Sequence, residues 1–206
     1  MNSPVTASAI TKPSAARPWA LPSHGLTLFH GCPQMPRLSH YFLPKVLLAE
    51  RRVLYLDGAN QISPLLISRF ARQRGLEPSV FNRLIRVSRA FTCFQLVELI
   101  ARVPKFLTTF SADLVVVTAV PDLFFDEDVR ESQASASFQH ALEGLAVLSQ
   151  LPICVAIFSD ATSFKTRRMS FFHALCKRAD QVLKVEASQE NNLSFTSEKS
   201  ARLLSQ

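Results

Sequence analysis

Short apolar bursts alternate along the chain with longer stretches in which apolar side chains recur every three or four residues. The bursts are residues 26–29, 53–56, 84–87, 114–117, 153–158 and 182–185. Leu114-Val115-Val116-Val117 is unbroken and rich in β-branched residues, the pattern of a strand covered on both faces. Helical spacing marks 38–50, 64–74 (closed by Gly75), the run that follows Thr92, 133–150 and 168–178. Thr92 and Gln95 have the spacing of a capping box, in which Thr accepts the third amide and Gln returns to the cap. The helix that they open is expected to bury Leu96, Val97, Ile100 and Ala101 on one face. In 133–150 the corresponding stripe is Phe138, Ala141, Leu142, Leu145 and Leu148. Strands alternating with helices predict an α/β fold, a mainly parallel sheet with helices on both faces.

The pattern fades at both ends. Residues 1–24 are rich in Ser, Ala and Pro and read as a flexible arm, and residues 187–206 as a polar, disordered tail. The span between them, 25–186, has no internal repeat and no break, and reads as one domain.

Composition narrows the possibilities. A hydrophobic share of 48% against 19% charged residues is that of a globular chain. No apolar run approaches the roughly 18 residues needed to cross a bilayer, so no membrane partner is expected. Residues 1–22 lack the apolar core of a secretory signal, and Lys12 and Arg17 are their only charges. An organellar presequence stays open on that count, though helical amphipathy is slight. Cys32, Cys93, Cys154 and Cys176 are far apart, with no metal-ligand spacing, and read as reduced thiols. The net charge of +7 suits a polyanion or an acidic partner.

With only five glycines, a Gly-rich phosphate loop is an unpromising search. The segment after the first burst, Gly31-Cys32-Pro33-Gln34-Met35-Pro36-Arg37-Leu38, has the spacing of G-x-x-x-x-G-K-[ST] but keeps only its first glycine. Pro36 stands at the second glycine and brings no amide hydrogen. Arg37 replaces the lysine, and Leu38 the hydroxyl that would ligate magnesium.

Five further segments resemble, in order, the RecA superfamily, and particularly the RadA-like strand-exchange recombinases of archaea and eukaryotes. Val53-Leu54-Tyr55-Leu56-Asp57-Gly58-Ala59-Asn60 is similar to the family's strand ending in I-D-T-E-N, and 64–76 to its helix ending in Gly-Leu. Val87-Ser88-Arg89-Ala90-Phe91-Thr92-Cys93-Phe94-Gln95 resembles A-R-A-F-N-T-x-H-Q, the most specific of the matches. Residues 114–118 take the place of the Walker B strand, and 178–183 that of the closing A-D-x-x-L. The resemblance runs from Gly25 to Glu186 and implies a RecA-like P-loop NTPase core with a degenerate nucleotide site.

The departures point away from catalysis. The resemblance puts Ala59 where the family has its water-activating glutamate, and a methyl group cannot take a proton. It puts Thr118 at the magnesium aspartate and Asp160 near the sensor glutamine, where a negative charge opposes a γ-phosphate. Phosphoryl transfer relies on positioning and electrostatics, so losing these groups together implies a pseudo-ATPase with no catalytic residue, metal or cofactor. Arg37 leaves weak nucleotide binding open.

Other candidates concern binding. Lys165, Arg167 and Arg168, with Phe164 as a stacking ring, fall where the resembled recombinases carry a DNA-binding loop. Asp126, Glu127 and Asp128 read as a solvated acidic loop rather than a metal site. His24, His30, His40, His140 and His173 have no matching nucleophile. Cys32, Pro33, Met35, Pro36 and Leu38 would form an apolar loop surface and, with Trp19 and Leu21 of the arm, are the candidate partner interface. The expectation is a DNA-repair or recombination accessory. It would work in a heteromer with a RecA-like or other protein, with single-stranded DNA as a further ligand. Its place would be the cytoplasm (nucleoid-associated) of a prokaryote or the nucleus of a eukaryote. A divergent nucleotide-binding ATPase and a structural adaptor without nucleic acid are the alternatives.

Overall fold

The computed structural model describes residues 21–187 and 193–199. In chain order the elements are β1 (Gly25–His30), α1 (Met35–Leu48), β2 (Val53–Asp57), α2 (Pro64–Gln73), α3 (Pro78–Leu84), β3 (Ile85–Arg89) and α4 (Cys93–Thr109). They continue with β4 (Leu114–Thr118), α5 (Glu131–Ser149), β5 (Cys154–Phe158), α6 (Met169–Arg178), β6 (Gln181–Ala187) and β7 (Leu193–Lys199). The strands form one sheet in the order β3-β2-β4-β5-β1-β6-β7, parallel except for β7, which runs antiparallel to β6. The chain therefore has the expected α/β architecture.

Strand periodicity divides the core in two. Leu26, Leu28, Leu54, Leu56, Val115 and Val117 point to the face covered by α4, α5 and α6. Their neighbours Phe29, Val53, Tyr55, Leu114 and Val116 point to the face covered by α1, α2 and α3. The continuous apolar runs in β2, β4 and β5 follow from this double covering, since every residue in them is buried. Right-handed crossovers explain the sides: steps toward β3 put helices on one face, and the return steps put them on the other. Among the neighbours that the strand order sends to opposite faces are β1/β5 and β2/β4. Both mark, at the strands' carboxyl ends, the crevice positions where α/β sheets usually bind ligands.

Several local expectations need correction. Residues 187–206 are not all a disordered tail, because 193–199 form β7. Leu193 and Phe195 pack on the α1–α3 side of the core, and the ammonium of Lys199 caps carbonyls of Cys176, Lys177 and Ala179 at the end of α6. Residues 78–84 form α3, which is too short to show a helical period and is held by buried Phe81. In α4, Ala101 is exposed and Val103 takes its place inside. Thr92 caps the amide of Gln95 as expected, at 3.2 Å, but the Gln95 side chain accepts from Phe91 rather than from Thr92, at 2.8 Å. Among the described residues no helix is long and apolar enough to cross a membrane. Residues 1–20, including Trp19, and 200–206 lie outside the described residues.

Candidate functional site at the carboxyl ends of the strands

The segment read as a degenerate phosphate loop closes the β1/β5 crevice. It leaves β1 through Gly31 at φ 116°, where an added Cβ would come within 2.8 Å of the Val185 carbonyl. Close approach to β6 therefore requires this glycine, without any phosphate. Gln34 turns at φ 62°, and α1 begins with Met35 and Pro36. The first amides of a helix have no partner within it and carry the positive end of its dipole, so an anion is favoured there. In this chain the anion is Asp160. Its carboxylate accepts from the Met35 amide at 2.6 Å.

A second carboxylate holds the first in place. Asp122, in a helical turn after β4, accepts from the Asp160 amide at 2.8 Å and from the Ser159 hydroxyl at 2.7 Å. Burial pushes the Asp122 carboxyl up to about 6, aided by the neighbouring charge of Asp160 and opposed by these hydrogen bonds. Burial also raises the Asp160 carboxyl, while the amides of Met35 and Gln34 pull it back.

The β2/β4 crevice is filled in a similar way. Asp57 is fully buried and accepts from the amides of Gln61 and Ile62 at 3.1 and 3.0 Å and from the Thr118 hydroxyl at 3.3 Å. The same hydroxyl accepts from the Ala59 amide at 3.1 Å, so Thr118 tethers the turn after β2 to β4. Gly58 is needed there because a Cβ would lie 2.5 Å from the Thr118 carbonyl. Nearby, His40 bonds the Arg37 carbonyl through Nδ1 (2.9 Å) and accepts from the Ser63 amide at Nε2 (3.0 Å). These bonds assign the proton to Nδ1 and make His40 a brace between α1 and the start of α2. Arg37 is exposed, bonded to the Gln34 side chain at 2.7 Å, and Leu38 is half-buried against the core. Most of the polar groups at the two crevices therefore bind one another, while the buried Gln61 Oε1 has no partner among the described residues.

The DNA-binding candidates separate. Phe164, Lys165 and Arg167 are exposed, with the Phe164 ring 5.9 Å from that of Phe125. Arg168 is buried, which removes it from the proposed surface. Its guanidinium donates to Glu131 at 2.7 Å and to the carbonyls of Phe124 (2.9 Å), Asp126 (2.6 Å) and Val129 (2.6 Å). Arg168 thus pins the acidic loop beside Arg167, and exposed Glu127 lines the same recess. That placement weakens the loop as a phosphate-binding surface.

The partner candidates change more. Cys32, Met35 and Pro36 are buried in the core under α1, so they offer no exposed apolar patch, and Leu21 is half-buried against the same cluster. The physical reason is that α1 starts at Met35, three positions before the expected start, and its first turn packs inward. Sequence reasoning also missed Asp122 and Ser159, whose only signal is their place just after buried strands. No protein-family model matches the chain, and no curated protein shows significant similarity to it.

Proposed function

We propose that the chain is a non-catalytic paralog of the RecA-like recombinases, a DNA-repair or recombination accessory that works through a protein partner and nucleic acid. Its sheet order supports the reading. A strand, β5, lies between the one that precedes the phosphate-loop remnant, β1, and the one at the Walker B position, β4. The observation that carries the non-catalytic part is the hydrogen bond from Met35 to Asp160. The seat for a phosphate at the start of α1 already holds an anion of the chain itself. An incoming triphosphate would have to displace a carboxylate anchored by Asp122, and would then meet Pro36, Leu38 and Ala59, none of which supplies a base or a metal ligand, and Thr118, whose hydroxyl is already bonded to Asp57 and the Ala59 amide.

Purification of the tagged full chain from its native cells, with the associated proteins identified, tests the reading. A RecA-like ATPase recovered at near-stoichiometric amounts is the expected result. A chain that purifies alone, or only with proteins unrelated to recombination, would overturn it.

A further inference from the structure

The strongest unsatisfied charge in the described molecule lies away from both crevices. Between residues 64 and 90 the sequence places six arginines, Arg69, Arg72, Arg74, Arg83, Arg86 and Arg89, against one acid, Glu77, and no lysine. All six are exposed. Five of them share one side of the molecule, because α2 packs on α3 and α3 on β3, the strand that ends the sheet, while Arg86, level with Leu54, points to the α4–α6 face. Arg89 reaches Asp57 only at 3.8 Å, and Arg86 stacks over the Phe110 ring at 5.2 Å. Arg69, Arg72, Arg74 and Arg83 have no partner among the described residues.

Protection of an open sheet edge explains Arg86 and Arg89, since charge on an edge strand discourages pairing with another chain. It does not explain the four arginines on or beside α2 and α3, which lie off the edge. A second copy of the chain is a poor occupant, because two such faces would repel each other. At the carboxyl end of β3 the rings of Phe91 and Phe94 are 64% and 47% exposed, beside Arg89. Guanidinium groups bind phosphates in bidentate fashion, and exposed rings stack on unpaired bases.

We infer that the face formed by α2, α3 and β3 binds single-stranded nucleic acid, with the arginines on the phosphates and Phe91 and Phe94 on the bases. The inference rests on the accessory reading above for its biological sense, but on this face alone for its chemistry.

Anisotropy titrations of a fluorescent oligothymidylate against the full chain, over a series of salt concentrations, test it. The combined variant Arg69→Gln, Arg72→Gln, Arg83→Gln should bind at least about tenfold more weakly, with a salt slope shallower by about 2. These side chains have no partner among the described residues, so the variant should keep its unfolding midpoint. A Lys165→Gln, Arg167→Gln variant should bind like the wild type, and Phe91→Ala should weaken binding without changing the slope. Equal affinity of the arginine variant and the wild type, or no binding by the wild type, would overturn the inference and leave the accessory reading to its own partner test. Displacement of the oligonucleotide by polyglutamate at equal charge would also overturn it, making the face a dock for an acidic protein.

Discussion

At the β1/β5 crevice the carboxylate of Asp160 and the first amides of α1 hold each other, whereas the guanidiniums of Arg69, Arg72 and Arg83 have no partner among the described residues. The crevice has the position of a ligand site but its polar groups are engaged. The arginine face has no cleft but leaves its charge free. Position in the fold and available chemistry have separated in this molecule, and available chemistry is the better guide to what it can bind. The same contrast recurs within one loop, where Arg167 is exposed and its neighbour Arg168 is bonded to three carbonyls and a carboxylate.

Among substitutions compared at one pH, the largest effect should come from that pair. Arg168→Met leaves the buried Phe124 carbonyl and the part-buried carbonyls of Asp126 and Val129 without their donor and should lower unfolding stability by about 2–3 kcal/mol in urea titrations, while Arg167→Met should stay within about 0.5 kcal/mol. Equal effects from the two would erase the contrast. At the crevice, Asp160→Ala removes the anion from the start of α1 and should cost about 1–2 kcal/mol. Added phosphate should recover part of that loss in the variant and do nothing for the wild type, and a variant indifferent to phosphate would show that the seat cannot take an outside anion.

The third effect is one of pH. The Asp122 carboxyl is raised from its ordinary value of 3.8 to about 6 in the folded chain. Between those values the folded state keeps a proton that the unfolded chain has lost, so the stabilisation is full below about 4 and is lost as pH rises through 6. Relative to Asp122→Asn, the wild type should lose on the order of 3 kcal/mol across this window and nothing further above about pH 7. Parallel stability curves for the two proteins would remove Asp122 from the account.

The strands were legible because their apolar runs are continuous wherever helices cover both faces, as in β4. The short or half-polar elements were not. In α3 only Phe81 is fully buried, and β7 alternates just Leu193 and Phe195 with polar residues. Pro36 reads as a loop breaker, yet proline suits the first turn of a helix, where its missing amide hydrogen costs no bond. Reading it that way would have moved Met35 into the core. Arg167 and Arg168 are chemically identical neighbours, and only the carbonyls of a distant loop distinguish them. The partnership of Asp160 with the start of α1 depends likewise on strand order, which neighbouring residues do not encode.

Phosphate release from magnesium-ATP, followed at steady state on clean protein with and without single-stranded DNA, tests the central claim most directly. The account predicts no release above the rate in buffer for the wild type, because Asp160 fills the seat, Leu38 and Ala59 supply neither metal ligand nor base, and the Thr118 hydroxyl is taken up by Asp57 and Ala59. Magnesium-dependent turnover by the wild type that disappears in Arg37→Ala would contradict it.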